Sequence, residues 1–114
     1  MRKLLCALIT VSALAMALVA SAQAYEAGWT LYYTGYPTPN SHVHIYNNTT
    51  GASGGTYSDA NGYYQFNGLT YSYSYTIWAC SSNSQYESPH RTFTYPGYNI
   101  RIDLTESNYV GFCT

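Results

Sequence analysis

Short runs of alternating apolar and polar residues, separated by turn-forming residues, limit most strongly what this chain can fold into. From residue 25 onward, glycine, asparagine, serine and proline interrupt the chain roughly every eight to twelve residues, and no helical period persists. This spacing favours an all-β sandwich or barrel over alternating β–α units. Seven strands are predicted, at residues 29–34, 42–47, 55–59, 63–69, 73–80, 91–95 and 99–105.

The alternation also assigns each predicted strand an inner face, because successive side chains point to opposite sides of a sheet. Only nine Leu, Ile or Val residues follow Ala24, so several of the 15 tyrosines are expected in the core. The run 73–80 has an alternative register that would turn Trp78 and Cys80 inward. The predicted inner residues are Trp29, Leu31, Tyr33, Val43, Ile45, Tyr64, Phe66, Tyr75, Ile77, Ala79, Ile100, Ile102 and Leu104.

Residues 1–24 have the features of an export signal. Arg2 and Lys3 precede the apolar run 4–20, and small residues at Ala22 and Ala24 predict cleavage before Tyr25. No later run approaches the roughly 20 apolar residues that span a bilayer. We therefore expect one domain, residues 25–114, in a secreted, extracellular or periplasmic protein without stable membrane insertion.

Two cysteines, Cys80 and Cys113, follow the predicted signal. In an oxidising compartment such a pair in a small domain most often forms one disulfide. A bridge of this span contributes about 4 kcal/mol of stability in the chain-entropy model. A reactive or metal-binding thiol pair is the less favoured interpretation, because the spacing is far from C-x-x-C.

Charge is scarce after the predicted signal, and this excludes several functions. Two arginines stand against five carboxylates, and there is no lysine. A lysine Schiff base and a lysine-to-asparagine isopeptide bond are therefore excluded, and nucleic acid is not an expected partner because no basic cluster exists. No serine lies in an identifiable strand-to-helix elbow, and the chain has no obvious pair of positioned carboxylates. We expect neither an enzyme nor a cofactor.

A group of residues between 43 and 77 has a recognisable spacing. Val43 and Ile45 alternate in a strand, and the turn that follows ends in Gly51. The further matching positions are Thr56, Asp59, Gly62, Tyr64, Phe66, Leu69, Tyr75 and Ile77. These residues follow the pattern V-x-V, then T-x-S/T-D-x-N/D-G-x-Y-x-F-x-x-L, then Y-x-V/I. Over residues 29–105 the chain thus resembles a carboxypeptidase regulatory-like domain.

The resemblance implies a prealbumin-like, seven-stranded Greek-key β-sandwich. Such modules occur in peptidases, adhesins, polysaccharide enzymes and surface proteins, so the resemblance implies a fold and no particular activity. The chain departs from the family at residues 37–41, where Pro-Thr-Pro-Asn-Ser replaces the usual P-L-x-G-A segment, and in lacking a glycine-rich first strand. The first strand is therefore the least well defined.

The segment from Asp59 to Gly62 is predicted to form a tight turn. Asn61 and Gly62 tolerate positive φ, and the Asp59 carboxylate can accept hydrogen bonds from backbone amides. Oxygen ligands at Asp59 and Asn61 would also suit a calcium loop. Two candidate ligands without EF-hand spacing make the turn the favoured interpretation.

Two further kinds of site have some basis in the sequence. His42 and His44 should project from one outer face, and a zinc or copper site there would need a third ligand, from His90 or a carboxylate. Two solvent-facing histidines without metal are the favoured interpretation. Asn47 and Asn48 each begin a formal N-glycosylation acceptor, which chance explains in an Asn- and Thr-rich segment.

Exposed aromatic side chains suggest the function. The outward phase of the strands includes Tyr46, Tyr63 and Trp78, and such rings stack on sugars or mark interaction surfaces. The first hypothesis is a secreted, non-catalytic module that binds a polysaccharide or a cell-surface protein through these rings. The alternative is a self-assembling extracellular subunit of a fibre or surface layer, whose partner is another copy. A tyrosine-rich sandwich without a binding role is the third possibility.

Overall fold

The computed structural model describes residues 24–114, and all regular structure in this range is β. The predicted export signal, apart from Ala24, lies outside the described residues. No helix that could span a membrane is found in the described range. The ten strands are β1 (Tyr25–Tyr32), β2 (His42–Asn47), β3 (Ser53–Tyr57), β4 (Tyr63–Asn67), β5 (Ser74–Cys80), β6 (Tyr86–Glu87), β7 (Arg91–Thr94), β8 (Ile100–Arg101), β9 (Leu104–Glu106) and β10 (Asn108–Tyr109).

The strands form two sheets, which confirms the predicted β-sandwich. In the smaller sheet, β1 pairs antiparallel with β4 and parallel with both β8 and β9. In the larger sheet the order is β3-β2-β5, and β5 also pairs with β7 and, at one end, with β6, which leads to β10. The chain makes the β2–β3 hairpin, crosses to the other sheet in β4 and returns in β5 beside β2, which is a Greek-key connection.

All seven predicted strands are present; β2 has the predicted limits, and the limits of the others differ by up to four residues. The last one is divided into β8 and β9 at Ile102 and Asp103, where the Trp29 amide of β1 donates to the Asp103 side chain, Oδ1, over 3.0 Å. Strands β6 and β10 have two residues each, too few for an alternating pattern to indicate them.

The core lies between the two sheets and follows the predicted alternation on most strands. Its buried members are Val43, Tyr64, Phe66, Ile77, Ala79 and Leu104, and Ile45, Leu69, Phe93 and Ile102 contact them from its margin. Tyr75 is also buried, so β5 has the predicted register, with Trp78 on the outer face.

The predicted inner face of the first strand was wrong. Glu26, Gly28 and Thr30 face the core, whereas Trp29 is half-buried on the outer face and Tyr33 is 75% exposed. Gly28 shows why: a Cβ at this position would lie 1.9 Å from the Ile102 carbonyl oxygen. Because a buried carboxyl and a glycine occupy inner positions, the alternation of apolar residues in this strand predicts its outer face as the inner one.

The buried carboxyl of Glu26, on β1, is hydrogen-bonded to Tyr64 of the neighbouring strand β4 in the same sheet. Tyr64 Oη donates to Glu26 Oε2 over 2.9 Å, and both side chains are almost completely buried. Burial raises the pKa of Glu26 to about 8, against the smaller lowering effect of the Tyr64 hydrogen bond, while the nearby Asp103 carboxylate raises it further.

The predicted turn and disulfide are both present. Asp59 Oδ1 accepts hydrogen bonds from the Asn61 and Tyr63 amides, at 2.8 and 3.0 Å, and Gly62 has a positive φ of 81°. The Asp59 carboxylate thus stabilises the turn. Cys80, at the end of β5, is bonded to Cys113, whose Cα lies 5.9 Å away, and so ties the C-terminal segment to the larger sheet.

Candidate interaction surface

Five rings form a continuous row across the outer face of the larger sheet, which we call the ring row: Tyr57, His42, His44, Trp78 and His90. Successive ring centroids lie 4.7, 3.9, 5.1 and 4.3 Å apart. The row exists because register places His42 opposite Tyr57 and His44 opposite Trp78 on neighbouring strands. Three of these contacts are stacked, and the His42–His44 contact is tilted by 50°.

The centre of the ring row carries little charge. Burial lowers the pKa of His44, and repulsion from His42 lowers it further, against opposing effects of the Thr114 backbone and Glu87. His44 Nε2 is buried and has no hydrogen-bond partner among the described residues. At the end of the row, His90 Nε2 lies 2.6 Å from Glu87 Oε1, near the surface. The row is therefore a largely uncharged surface with one exposed ion pair at its end.

The histidines of the row are close together without forming a complete metal site. The His42 and His44 rings are 3.9 Å apart. Residues 24–114 contain no group of three or more histidine, cysteine, aspartate or glutamate side chains placed to hold a metal ion. A metal at these two histidines would therefore lack a third His, Cys, Asp or Glu ligand among the described residues.

One end of the ring row meets an open sheet edge, which we call the β3 edge, Ser53–Tyr57. Within the described residues β3 pairs only with β2. The edge has no charged residue and no proline, and only Thr56 is partly buried. Because hydrogen-bonded pairs alternate along an antiparallel ladder, the backbone groups of Ser53, Gly55 and Tyr57 point away from β2. The edge thus offers free backbone donors and acceptors.

The glycine in the middle of the β3 edge is required by the ring row. A Cβ on Gly55 would lie 2.8 Å from His42 Nε2 and 3.1 Å from the Val43 carbonyl oxygen. The absence of a side chain at Gly55 leaves room for the His42 ring, which stacks on Tyr57. The ring row and the narrow, open edge therefore depend on each other.

Strand β4 continues the same side of the sandwich after the turn at 58–62. It pairs only with β1 in the described structure, and its outer side chains form a hydrogen-bonded ladder. Tyr63 Oη donates to Gln65 Oε1, and Gln65 Nε2 donates to Asn67 Oδ1. Between Glu26 and Glu87 the only Asp, Glu, Lys or Arg is Asp59, which the turn engages. This whole side of the molecule is thus polar but almost uncharged.

The three predicted ligand-binding residues do not form one site. Tyr46 and Trp78 lie on the outer face of the larger sheet, whereas Tyr63 lies on the outer face of the smaller sheet, next to Trp29. Both faces of the Trp78 indole are covered, by His44 and His90. Sugar stacking on Trp78 would need one imidazole to move, while Tyr46, 40% exposed, is open to solvent. The assignment of these residues to ligand binding stays a prediction.

Sequence reasoning missed two features of these surfaces. The Arg101 guanidinium lies 4.4 Å from the centre of the Trp29 ring, a contact that follows only from the parallel pairing of β1 and β8. The ring row was also missed, although His42, His44 and Trp78 share the outward phase of two strands. Pairing those strands in register would have placed the rings together.

Most of the tyrosines are exposed, many of them in the loops. Their hydroxyls and rings give the surface an aromatic and uncharged character. The exposed tyrosines are Tyr32, Tyr33, Tyr36, Tyr46, Tyr57, Tyr71, Tyr86, Tyr98 and Tyr109.

Comparison with known proteins supports the fold. No protein-family model and no curated protein matches the chain. Among solved structures, the chain is similar to the C-terminal domain of the shaft pilin spaA from Lactobacillus rhamnosus GG, with a TM-score of 0.57 and 11% sequence identity. The match covers 76% of this chain and 98% of that one. It supports the β-sandwich implied by the resemblance to carboxypeptidase regulatory-like domains, but not membership of that family.

Proposed function

We propose that this protein is a non-catalytic, extracellular structural subunit that associates with copies of itself. The observation that carries the proposal is the β3 edge, a strand that pairs on one side only among the described residues and contains neither a charged residue nor proline. The likeness of the fold to a domain of a shaft pilin adds support, because that protein is named for a fibre. The predicted export signal gives the chain a route to the cell surface.

An edge of this kind is a template for another strand. Its outward amide and carbonyl groups can hydrogen-bond to an added strand and extend the sheet. Proteins that stay monomeric usually protect such edges with lysine, proline, a bulge or a covering loop. The β3 edge contains neither lysine nor proline, and two of its five residues are glycines, which have no side chain to obstruct a partner.

The ring row favours association at the same place. Tyr57 lies on the β3 edge and ends the row, so a copy that adds a strand there also brings its rings next to an aromatic surface. Aromatic pairs across strands contribute roughly 0.2–1 kcal/mol each. A symmetrical contact of two β3 edges gives a dimer, whereas a contact of β3 with a different surface gives a chain of subunits.

The experiment is sedimentation and electron microscopy of the purified protein over a concentration series. We expect concentration-dependent oligomers or fibres for the wild type. Ser53→Lys places a charge on the exposed edge and should shift the protein towards monomer. Ser107→Lys, the same substitution at an exposed position between β9 and β10, is the matched control and should associate normally. A wild-type protein that stays monomeric at every concentration contradicts the proposal.

A second candidate function is the binding of a polysaccharide at the smaller sheet. Tyr25, Trp29 and Tyr63 line a shallow groove of about 280 Å³ together with Asn99 and Arg101. The Tyr25 and Tyr63 rings beside the Asn99 amide suit a sugar ring and its hydroxyls. Tyr63→Ala should weaken retention on an insoluble polysaccharide without unfolding the protein. Retention equal to that of the wild type would contradict a role for this ring.

A further inference from the structure

A cleft of about 220 Å³ opens at one end of the sandwich, between the loop after β1 and the turn before β6. The rings of Tyr32, Tyr33 and Tyr86 form much of its wall, with polar groups such as the Asn83 amide between them. Glu106 completes the wall, and we call this space the Glu106 cleft. Its volume is below the roughly 300 Å³ at which pockets for small molecules begin, so it suits a ligand head the size of one side chain.

Glu106 is buried in a way that leaves its charge uncompensated. It lies on the inner face of β9, opposite Tyr32, and is 2% exposed. Both carboxyl oxygens are buried, and neither forms an ion pair among the described residues. The nearby hydroxyls of Ser41 and Thr38 bond to each other over 3.0 Å. Burial raises the pKa of Glu106, and these hydroxyls lower it by less.

Glu106 and Glu26 are the two buried carboxyls of the described chain, and Glu26 also has one oxygen, Oε1, without a hydrogen-bond partner. Burying an unpaired carboxylate costs free energy, and carboxyls perturbed in this way cluster at functional sites. The partners of the other four are Tyr64 for Glu26, backbone amides for Asp59, His90 for Glu87, and Arg101 for Asp103.

We propose that the Glu106 cleft binds an organic cation, an alkylammonium or guanidinium head of the size of a lysine or arginine side chain. The positive charge compensates the Glu106 carboxylate, and a cation is attracted to the faces of neighbouring tyrosine rings. Attraction to the carboxylate is strong in this site because little water separates the charges. The proposal stands whether or not the protein associates with itself.

The head has two possible sources, and the chain itself offers one. Arg101 is bonded to Asp103 and lies over Trp29, so it is already engaged. Arg91 is exposed on β7 and forms no ion pair within the described residues. Arg91 of a second copy can therefore supply the guanidinium, or the cation can belong to a different molecule.

The test is a calorimetric titration of the purified protein with N-acetyl-argininamide and with N-acetyl-lysinamide. We expect saturable binding of at least one amide by the wild type, and a loss of affinity of about tenfold or more in Glu106→Gln. Glu87→Gln removes the same charge from a half-exposed position outside the cleft and should bind like the wild type. Equal binding by Glu106→Gln and wild type, or no saturable binding by the wild type, would overturn the proposal.

A second variant keeps the test decisive if Glu106→Gln is misfolded. Tyr33 is 75% exposed, so Tyr33→Ala removes one ring of the cleft with little cost to folding, and we expect weaker amide binding. Unchanged amide binding by a folded Tyr33→Ala would overturn the proposed role of the tyrosine rings in the Glu106 cleft. Self-association of Arg91→Gln then separates the sources: reduced association assigns the head to another copy, and normal association assigns it to a different molecule.

Discussion

The two sides of the sandwich are protected from other strands to very different degrees. On one side, β3 and β4 are five-residue strands without a charged residue. On the other side, β8 and β9 have two and three residues, and β7 contains Arg91 and lies between Pro89 and Pro96. Short strands, charge and proline are the usual means of blocking an edge. The molecule thus protects one side and leaves the other open.

The difference is informative because one chain contains both a protected side and an open side. A general shortage of charged residues would leave both sides open, yet Arg91, Arg101 and Asp103 all lie on the protected side. The disulfide and the C-terminal segment, whose β10 pairs with β6, add cover there. The open side therefore reflects the placement of charges, and it is where we expect a partner strand.

Removal of the disulfide should give the largest effect on the comparison, since it loosens the protected side. Cys80→Ala combined with Cys113→Ala should lower the free energy of unfolding by about 4 kcal/mol, because the bond closes a long loop in the unfolded chain. Urea unfolding of the variant and the oxidised wild type measures the change. Equal unfolding midpoints would show that the bond contributes nothing.

The same substitution on each side should have unequal effects. Gly28→Ala should destabilise the protein by about 3 kcal/mol, because the new Cβ meets the Ile102 backbone that joins β1 to the protected side. Gly54→Ala on the β3 edge meets only Ile45 Cγ2 at 3.5 Å, an ordinary contact, and should change stability by about 0.5 kcal/mol or less. Thermal unfolding of both variants is the measurement, and equal losses would contradict the close approach at Gly28.

A smaller effect should appear in the dependence of stability on pH. Glu26 lies between the sides, bonded to Tyr64 of β4 and near Asp103. A carboxyl with a raised pKa binds more protons when folded, so its contribution is full below about pH 4.5 and is lost as the pH rises through about 8. Stability should fall over this window by at most about 1.4 kcal/mol per pH unit.

Glu26→Gln isolates this contribution. The variant should lose most of the falling slope between pH 4.5 and 8, leaving a fall from Glu106, whose pKa is also raised, against a rise from His44, whose pKa is lowered. Urea unfolding at several pH values measures the slope. A slope as steep as that of the wild type would assign the pH dependence to other groups.

The larger sheet could be predicted well from the sequence, and the first strand could not. Val43, Ile45, Tyr75 and Ile77 alternate strictly with polar residues, so strand limits and inner face follow directly. In β1, a glutamate at position 26 predicts a surface position. Its burial depends on the hydrogen bond to Tyr64, which lies on another strand. Local pattern contains no information about such a partner.

The candidate surfaces could be predicted only in part. The outward phase of His42, His44 and Trp78 follows from alternation, but their stacking depends on which strands are neighbours and in what register. The Glu106 cleft depends on loops that approach from distant parts of the chain. Such features arise from tertiary contacts that one sequence does not reveal.

The most direct test of the account is hydrogen exchange of the β3 amides at low and high protein concentration. The outward amides of Gly55 and Tyr57 should exchange quickly in dilute solution and become protected as the concentration rises. The amides of β8 on the protected side should show no such change. Protection in β3 that is independent of concentration, or that rises instead in β8, would contradict the assignment of the open side as the contact surface.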